Sequence, residues 1–511
     1  MAVDLPLSTL ALGAVLILAL GLALRPRRAR FAAPLPPAPK TSIPLIGHTL
    51  MMSGVRWAWV SFYEIWKSMG EEACRSGIMY MRLGNGPNAD TIIVNTCKAT
   101  QDLLEKKSGL YSDRPRMIVP QEYISNNRRM VLTRYNDRWR QLRKFLHTQL
   151  HDKLASTYEP VQDLEAKALA LSFLEDPEHF ADHIQLFSSN VILQIAYARR
   201  ARDVNDKAIR MMIYSIENWS LEALPGARLV ADFPILDYLP AFISPWKKNA
   251  IRLHKLELEL FNTLTGGVRR KMAAGELPEC LMRHLLENQK SYGFDDELVQ
   301  YTAGTLFEAG SDTTTSLTTS LVLAATNNNE FWKKAKEEVD RVVGPDRMPT
   351  FADSDDLPYI VAIGKELQRW RPAVPAAVPH ALTEDDEYMG FHLPKGSTVI
   401  CNTWAIGRDK VVFPDGETFR PERYLGEEGK KIASALNKGH TGFGFARRIC
   451  PGLHVAERSL LIVIATLAWG FELGPKANEP RPDVFNFSEG FVSRANPFRA
   501  EITLAMLVAL V

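Results

Sequence analysis

Cysteine is scarce in this chain. Its 511 residues include five, Cys74, Cys97, Cys280, Cys401 and Cys450, with no Cys-x-x-Cys pair. An odd, scattered set argues against a disulfide framework and against a zinc site, and it points to a reducing compartment for most of the chain. Net charge is equally slight. The 61 Lys and Arg residues against 59 Asp and Glu leave +2, so composition gives no reason to expect a nucleic-acid partner. Repeats, low-complexity tracts and a second linker are absent beyond about Ser42. What remains is globular in type, with 46% apolar and 23% charged residues, enough to build a sizeable core.

The N-terminus departs from that composition. Leu5 to Leu24 carries no charge and has the length of a bilayer-spanning helix. Asp4 precedes it, and Arg25, Arg27, Arg28 and Arg30 follow. Positive charge stays on the cytoplasmic side. A cleaved signal would place its charge before the apolar run. The expectation is therefore an uncleaved transmembrane anchor over 1–25, with the rest of the chain cytoplasmic. Pro26, Pro34, Pro36, Pro37, Pro39 and Pro44 make 26–44 a stiff, extended linker.

From residue 45 to 511 helical periodicity dominates. It predicts helices over Trp139–Leu150, Leu164–Leu174, Leu253–Lys271, Glu297–Thr326, Glu330–Val343 and Leu453–Trp469. Strand-like alternation is confined to Ile78–Leu83, Thr91–Val94 and Thr398–Cys401. The expected fold is one mainly α domain with small peripheral β-sheets, preceded by one N-terminal transmembrane helix.

Four groups of residues carry chemistry. Cys450 sits in Phe443-Gly-Phe-Ala-Arg-Arg-Ile-Cys-Pro-Gly452, after two arginines and before an apolar helix. Adjacent cations and a helix N-terminus favour thiolate over thiol, and haem iron makes chemical use of such a ligand. Ala309-Gly-Ser-Asp-Thr-Thr314 places poor helix formers inside a long apolar helix. Gly310 is read as leaving room for a ligand, and Asp312 and Thr313 as an acid and a hydroxyl able to organise proton delivery. Glu366 and Arg369 share a helix face at a spacing of three. Trp139 and Arg143 offer an indole N–H and a guanidinium, and arginine suits carboxylates.

The Cys450 run resembles the haem-binding loop of cytochrome P450 enzymes, Phe-x-x-Gly-x-Arg-x-Cys-x-Gly. The family usually has glycine four residues before the cysteine, and this chain has Ala446, so haem binding is expected to survive with altered loop geometry. The Ala309–Thr314 run matches the family's oxygen-activating motif residue for residue. Glu366-x-x-Arg369 with Arg423 in Pro421-Glu-Arg-Tyr424 resembles the family's buried, structural Glu–Arg–Arg cluster. Trp139 and Arg143 match its Trp-x-x-x-Arg propionate contacts, and His380 and Arg448 match two more.

The resemblance implies a haem-thiolate monooxygenase. Its metal ligand is Cys450, its catalytic residues are Thr313 and Asp312, and its haem-binding residues add Trp139, Arg143, His380, Arg448 and Phe443. It implies haem b, and electrons from NADPH through a flavoprotein, NADPH-cytochrome P450 reductase, with cytochrome b5 as a second donor. Arg138, Arg140, Lys144 and Lys438 are candidates for docking an acidic donor. The implied location is the endoplasmic reticulum membrane, single-pass. By analogy the substrate pocket is lined by Ile118–Ile124, Met211–Trp219, Leu306–Glu308, Val374–Val378 and Glu489–Val492, with Glu308 and Arg494 as possible polar anchors or network residues. Tyr111-Ser-Asp-Arg-Pro115 and Asn402-Thr-Trp-Ala-Ile406 look most like filamentous-fungal members, which implies hydroxylation of a small hydrophobic or aromatic substrate, such as a polyketide-derived phenol or benzyl alcohol, in secondary metabolism. Two alternatives stand beside this: a haem-thiolate isomerase or dehydratase that needs no reductase, and a non-enzymatic haem-binding protein.

Overall fold

The computed structural model describes residues 33–44, 46–86, 88–224, 226–436, 439 and 442–505. The uncharged run Leu5–Leu24, the arginines after it, the start of the proline-rich segment and Lys438 lie outside the described residues. The later part of that segment is extended and tied down. Tyr80 N donates to Pro37 O at 2.9 Å, and His392 N donates to Pro34 O at 2.7 Å.

The longer helices are α1 (Ala58–Ser68), α2 (Asp137–Leu150), α3 (Glu159–Glu175), α4 (Phe180–Tyr197), α5 (Lys207–Glu222), α6 (Pro245–Ala273), α7 (Leu281–Tyr292), α8 (Asp296–Asn327), α9 (Glu330–Val342), α10 (Pro358–Trp370), α11 (Gly426–Ala435) and α12 (Leu453–Gly470). Every helix expected from periodicity is present; α3 and α6 run a turn or more beyond the expected span, and the others agree within two residues at either end. Asn136 Oδ1 accepts from Trp139 N at 3.0 Å and starts α2. Asp295 Oδ1 accepts from Leu298 N at 2.8 Å and starts α8. Such caps satisfy donors that the first turn leaves free. Pro245 and Pro358 begin α6 and α10, where a missing N–H costs nothing.

Three small sheets lie at the periphery. β1 (Ile78–Arg82), β2 (Asp90–Val94), β6 (Thr398–Cys401) and β3 (His380–Ala381) form one sheet in the order β1-β2-β6-β3. β2 and β6 are parallel and the other two pairs antiparallel. β4 (Asp386–Tyr388) pairs with β5 (Phe391–Leu393), and β7 (Phe471–Gly474) with β8 (Glu501–Leu504).

The core is helical and centred on α8, which packs against α4, α6 and α12. Leu298, Val299, Tyr301, Phe307, Leu321 and Val322 bury it, each large apolar side chain contributing about 1.5–3 kcal/mol by leaving water. α12 is the one helix among the described residues long and apolar enough to cross a membrane. It is a core helix, with Leu460, Ile462, Val463, Ile464 and Leu467 buried.

Candidate active site

α8 is buried for most of its length, yet Thr305, Leu306, Ala309, Gly310 and Thr313 keep accessible surface. Their spacing of one, three and four residues is one stripe of a helix. A stripe that is accessible in the middle of the most central helix faces an internal space. Gly310 has a different role from the one expected. A Cβ there would meet Ile192 Cδ1 at 2.7 Å, so this glycine lets α4 close on α8, and Ala309 is the residue that borders the space. The motif leaves α8 unbroken. Thr313 Oγ1 donates to Ala309 O at 2.8 Å, which leaves the hydroxyl oxygen free to accept.

Asp312 is buried and paired with Arg494, a contact between α8 and the last loop of the chain. Arg494 Nη1 also donates to Gln185 Oε1 at 3.2 Å. Arg494 therefore holds the acid of the motif. Glu308 lies elsewhere: it is fully buried and bound to Arg129 at 2.6 Å, so it does not line the accessible stripe.

Cys450 stands on the loop entering α12, which packs on α8. Cys450 N donates to Phe443 O at 2.8 Å and closes the loop. Gly444 and Ala446 both have positive φ, +75° and +43°. Ala446 thus takes the backbone shape expected of glycine, and its N–H donates to Glu105 Oε1 at 3.1 Å. The thiol sits deep in the protein, on a residue that is half-buried as a whole. The two preceding arginines do not act on it directly. Arg447 donates to the Tyr135 hydroxyl at 2.6 Å, and Arg448 turns to Ser112 O at 2.7 Å and Thr133 O at 2.8 Å. Arg143 is the cation that touches the loop, through Ile449 O. Burial pushes the Cys450 thiol up, against smaller opposing effects of the Gly452 N–H and Arg143. The expectation that flanking cations would ionise it is corrected accordingly: a bound metal would have to supply most of that stabilisation.

Beside this loop arginines outnumber carboxylates, with Glu105 taken by Ala446 N and Asp113 by Arg134. His380 on β3, Arg114, Arg143 and Arg448 are gathered near Trp139, with Arg448 stacked over its ring at 4.3 Å. Arg448 Nη1 is buried without a hydrogen-bond partner among the described residues. Burial, with Arg143 nearby, lowers Arg448 to about 10, Asp113 opposing. Burial, then Arg448, pulls Arg114 well below the usual range. His380 Nδ1–H donates to Tyr111 O at 2.6 Å, and burial, with Arg114, keeps the ring well below its ordinary value. Buried cations that repel one another mark a site built for an anion. A haem fits: its iron would take Cys450, its flat face the α8 stripe, and its two propionates the surplus of positive charge.

The family model for cytochrome P450 matches residues 36–502. The chain belongs to the cytochrome P450 family. It is 35% identical over 506 residues to cytochrome P450 monooxygenase 58 of Postia placenta, covering 97% of this chain and 94% of that protein. It is 34% identical over 478 residues to cytochrome P450 monooxygenase virE of Hypocrea virens, covering 91% and 85%. With cytochrome P450 monooxygenase fogE of Aspergillus ruber it shares 35% identity over 421 residues, covering 80% and 78%. The chain is a cytochrome P450 monooxygenase, and the family implies haem iron, a redox partner and a small-molecule substrate.

The Glu–Arg–Arg cluster of this P450 is built as the spacing suggested. Glu366, Arg369 and Arg423 are fully buried. Arg369 pairs with Glu366 at 2.7 Å, Arg423 with Glu366 at 3.1 Å and with Asp415 at 2.6 Å. Arg369 also donates to Gly407 O, Gly416 O and Thr418 O, which fixes the chain between α10 and α11. Sequence reading missed Arg114, whose donors reach Val131 O, Val378 O and Pro379 O within 2.9 Å. Its one sequence signal is its place between Asp113 and Pro115.

Proposed function

We propose that this chain is a haem-thiolate monooxygenase that hydroxylates a small hydrophobic or aromatic substrate, with electrons from NADPH through a flavoprotein reductase. The observation that carries this reading is Cys450, its thiol deep inside the protein on the loop that opens α12 against α8. Haem b, when bound, supplies oxygen activation, which thiolate donation assists. The remaining tasks fall to side chains. Arg143 and the Phe443 carbonyl hold the Cys450 loop. Trp139, Arg143, His380 and Arg448 receive the propionates, and a carboxylate beside His380 would raise its affinity for a proton, so that Nε2–H would donate to that carboxylate. Thr313 presents a hydroxyl to the internal space, and Asp312 supplies a proton source one residue before it, positioned by Arg494. Val374, Val378 and Phe491 keep the space apolar.

Arg134, Arg140, Lys144 and Arg447 are exposed around α2 and the Cys450 loop, and this basic surface suits an acidic electron donor such as the reductase or cytochrome b5. Attachment to the endoplasmic reticulum membrane is supported by Leu5–Leu24 and by the connection between α5 and α6. That connection exposes Leu229, Ile235, Tyr238 and Phe242, the last two at 87% and 75%. The resemblance of Tyr111–Pro115 and Asn402–Ile406 to filamentous-fungal members is the ground for proposing a role in secondary metabolism, with a polyketide-derived phenol or benzyl alcohol as the substrate class. A rearrangement or dehydration would have no use for the Asp312–Thr313 pair.

The test is a reduced carbon-monoxide difference spectrum of the expressed protein and of Cys450→Ser. The wild type is expected to give the thiolate-ligated band and the variant to lose it. A wild type without haem, or a variant with an unchanged band, overturns the reading. Oxygen uptake with reductase and NADPH over a panel of phenols then separates a monooxygenase from a reductase-independent isomerase.

A further inference from the structure

Behind the accessible stripe of α8 lies a second cluster that the proposed chemistry does not use. Arg129 is buried between two carboxylates: Nη1 donates to Glu308 Oε2 at 2.6 Å and Nη2 to Glu257 Oε1 at 2.7 Å. All three side chains are at most 3% exposed. The Ser215 hydroxyl lies 3.1 Å from Glu257 Oε1 and 3.2 Å from Glu308 Oε1. Tyr301 OH donates to Glu257 Oε2 at 2.8 Å. His254 Nδ1 lies 2.8 Å from Ile124 O and 3.0 Å from Tyr301 OH. The Trp219 ring covers the guanidinium at 4.7 Å.

This cluster joins four parts of the chain. Glu308 and Tyr301 come from α8, Glu257 and His254 from α6, Ser215 and Trp219 from α5, and Arg129 from the segment that follows the π-helical turn Ile118–Ile124. α5 and α6 are joined by a connection of short helical turns whose large apolar residues are mostly exposed. Such a segment has little burial of its own to hold it. At the rim it is held by Tyr123 and Lys247 on Asp237, 2.7 Å and 3.3 Å, and by Arg116 between Glu122 and Asp237. Partly exposed pairs of this kind contribute little. The buried cluster is the polar attachment of the α5–α6 pair to α8, set beside the apolar packing of Leu253, Leu260 and Phe261 on that helix.

Its charge does not balance. One guanidinium faces two carboxylates in a dry site, so full ionisation leaves one negative charge uncompensated. The other titratable groups facing it are His254, which also nears Glu297 at 3.9 Å, and the phenols of Tyr301 and Tyr197, both pushed up by burial.

We propose that Arg129, Glu257 and Glu308 form a pH-operated latch: a proton on Glu257 holds the α5–α6 pair on α8, and loss of that proton releases it and eases entry to the internal space. Burial pushes Glu257 up to about 7, with Glu308 adding to it and Arg129 opposing. The carboxyl affinity is raised in the closed form, so the proton's stabilisation of that form is complete below the ordinary carboxylate value. It is lost as pH rises through about 7. With Glu257 at its ordinary value in the released form, the opening equilibrium rises about tenfold between pH 6 and 8.

The test is hydrogen–deuterium exchange of the full-length, haem-loaded protein at pH 6, 7 and 8, corrected for intrinsic exchange. Wild-type peptides from α5 and α6 are expected to lose about tenfold in protection across this range, with α10 and α12 unchanged. Glu257→Gln is permanently neutral and is expected to abolish the trend. Glu308→Gln removes the same excess charge, flattens the trend independently, and serves if the first variant fails to fold. A wild type with pH-independent protection in α5 and α6, or variants that keep the wild-type trend, overturns the latch. The association rate of 4-phenylimidazole, read by its haem spectral shift and corrected for titration of the probe's own imidazole, is expected to rise with pH in the wild type only. Exchange needs neither turnover nor substrate, so failure of the monooxygenase reading and failure of the latch give different results.

Discussion

Arg494 closes on the carboxylate of Asp312, so the last loop of the chain restrains the one acid that neighbours Thr313 on α8. This pairing separates two roles. Asp312→Asn keeps the shape and removes the acid. It is expected to lower kcat by about 10²-fold, the range of a general acid, with a larger solvent isotope effect and an unaltered substrate-binding spectrum. Arg494→Lys keeps a cation near Asp312 and is expected to cost less than tenfold. Arg494→Ala leaves the carboxylate unpaired and free to turn, so it is expected to lower kcat more than Arg494→Lys does. Equal kcat in the two Arg494 variants would remove Arg494 from any positioning role.

Ala446 occupies a left-handed backbone position, φ +43°, where an L side chain costs roughly 1–2 kcal/mol and glycine costs nothing sterically. Glycine also gains freedom when unfolded, which offsets part of that benefit. Ala446→Gly is therefore expected to stabilise the haem-loaded protein by about 0.5–1 kcal/mol in urea denaturation, with the carbon-monoxide spectrum unchanged. A destabilised variant would show that the Ala446 methyl makes a contact worth more than its strain.

Much of this was legible because its signals are local. Apolar periodicity fixes α8 and α12, and the Cys450 run and the Glu366–Arg369 spacing lie within single segments. What the sequence could not show depends on which distant segments meet. Gly310 reads as room for a ligand until Ile192 is found against it. Arg447 and Arg448 read as partners of Cys450 until their guanidinium groups are found on Tyr135, Ser112 and Thr133. Arg129, Glu257 and Glu308 are far apart in the chain and belong to no local pattern. Their charge is legible, but their burial is not.

Glu366 is fully buried between two arginines. Removing one partner of a buried pair leaves a charge in low dielectric and costs about 3–5 kcal/mol. Arg423→Leu takes one partner from Glu366, which keeps Arg369, and one from Asp415, which keeps Arg420, so it is expected to cost about 3 kcal/mol, the lower end of that range, seen as a lower urea midpoint and low recovery of haem-loaded protein. Glu366→Gln keeps one acceptor but turns an amide donor toward the guanidiniums and leaves buried Arg369 without a carboxylate, so it is expected to cost at least as much as Arg423→Leu. In both, kcat per haem of the surviving folded fraction should stay near wild type, because the cluster bonds to Gly407, Gly416 and Thr418 and not to the α8 stripe. A kcat loss per haem without a stability loss would contradict a structural role.

The last prediction concerns Arg448, whose Nη1 is buried without a partner among the described residues while its other donors hold Ser112 O and Thr133 O. An unused, buried, charged donor is costly, and burial with Arg143 already lowers this guanidinium to about 10. A propionate would remove that cost. Arg448→Met keeps the side-chain bulk over Trp139 but gives up the charge. It is expected to speed haem transfer to apomyoglobin by at least tenfold, the equivalent of about 1.4 kcal/mol in the release barrier. Arg140→Met, on the exposed outer face of the same α2 region, should leave that rate unchanged and slow electron transfer from the reductase at low salt. If Arg448→Met retained haem as the wild type does, the cluster of cations beside Cys450 would need another anion to explain it.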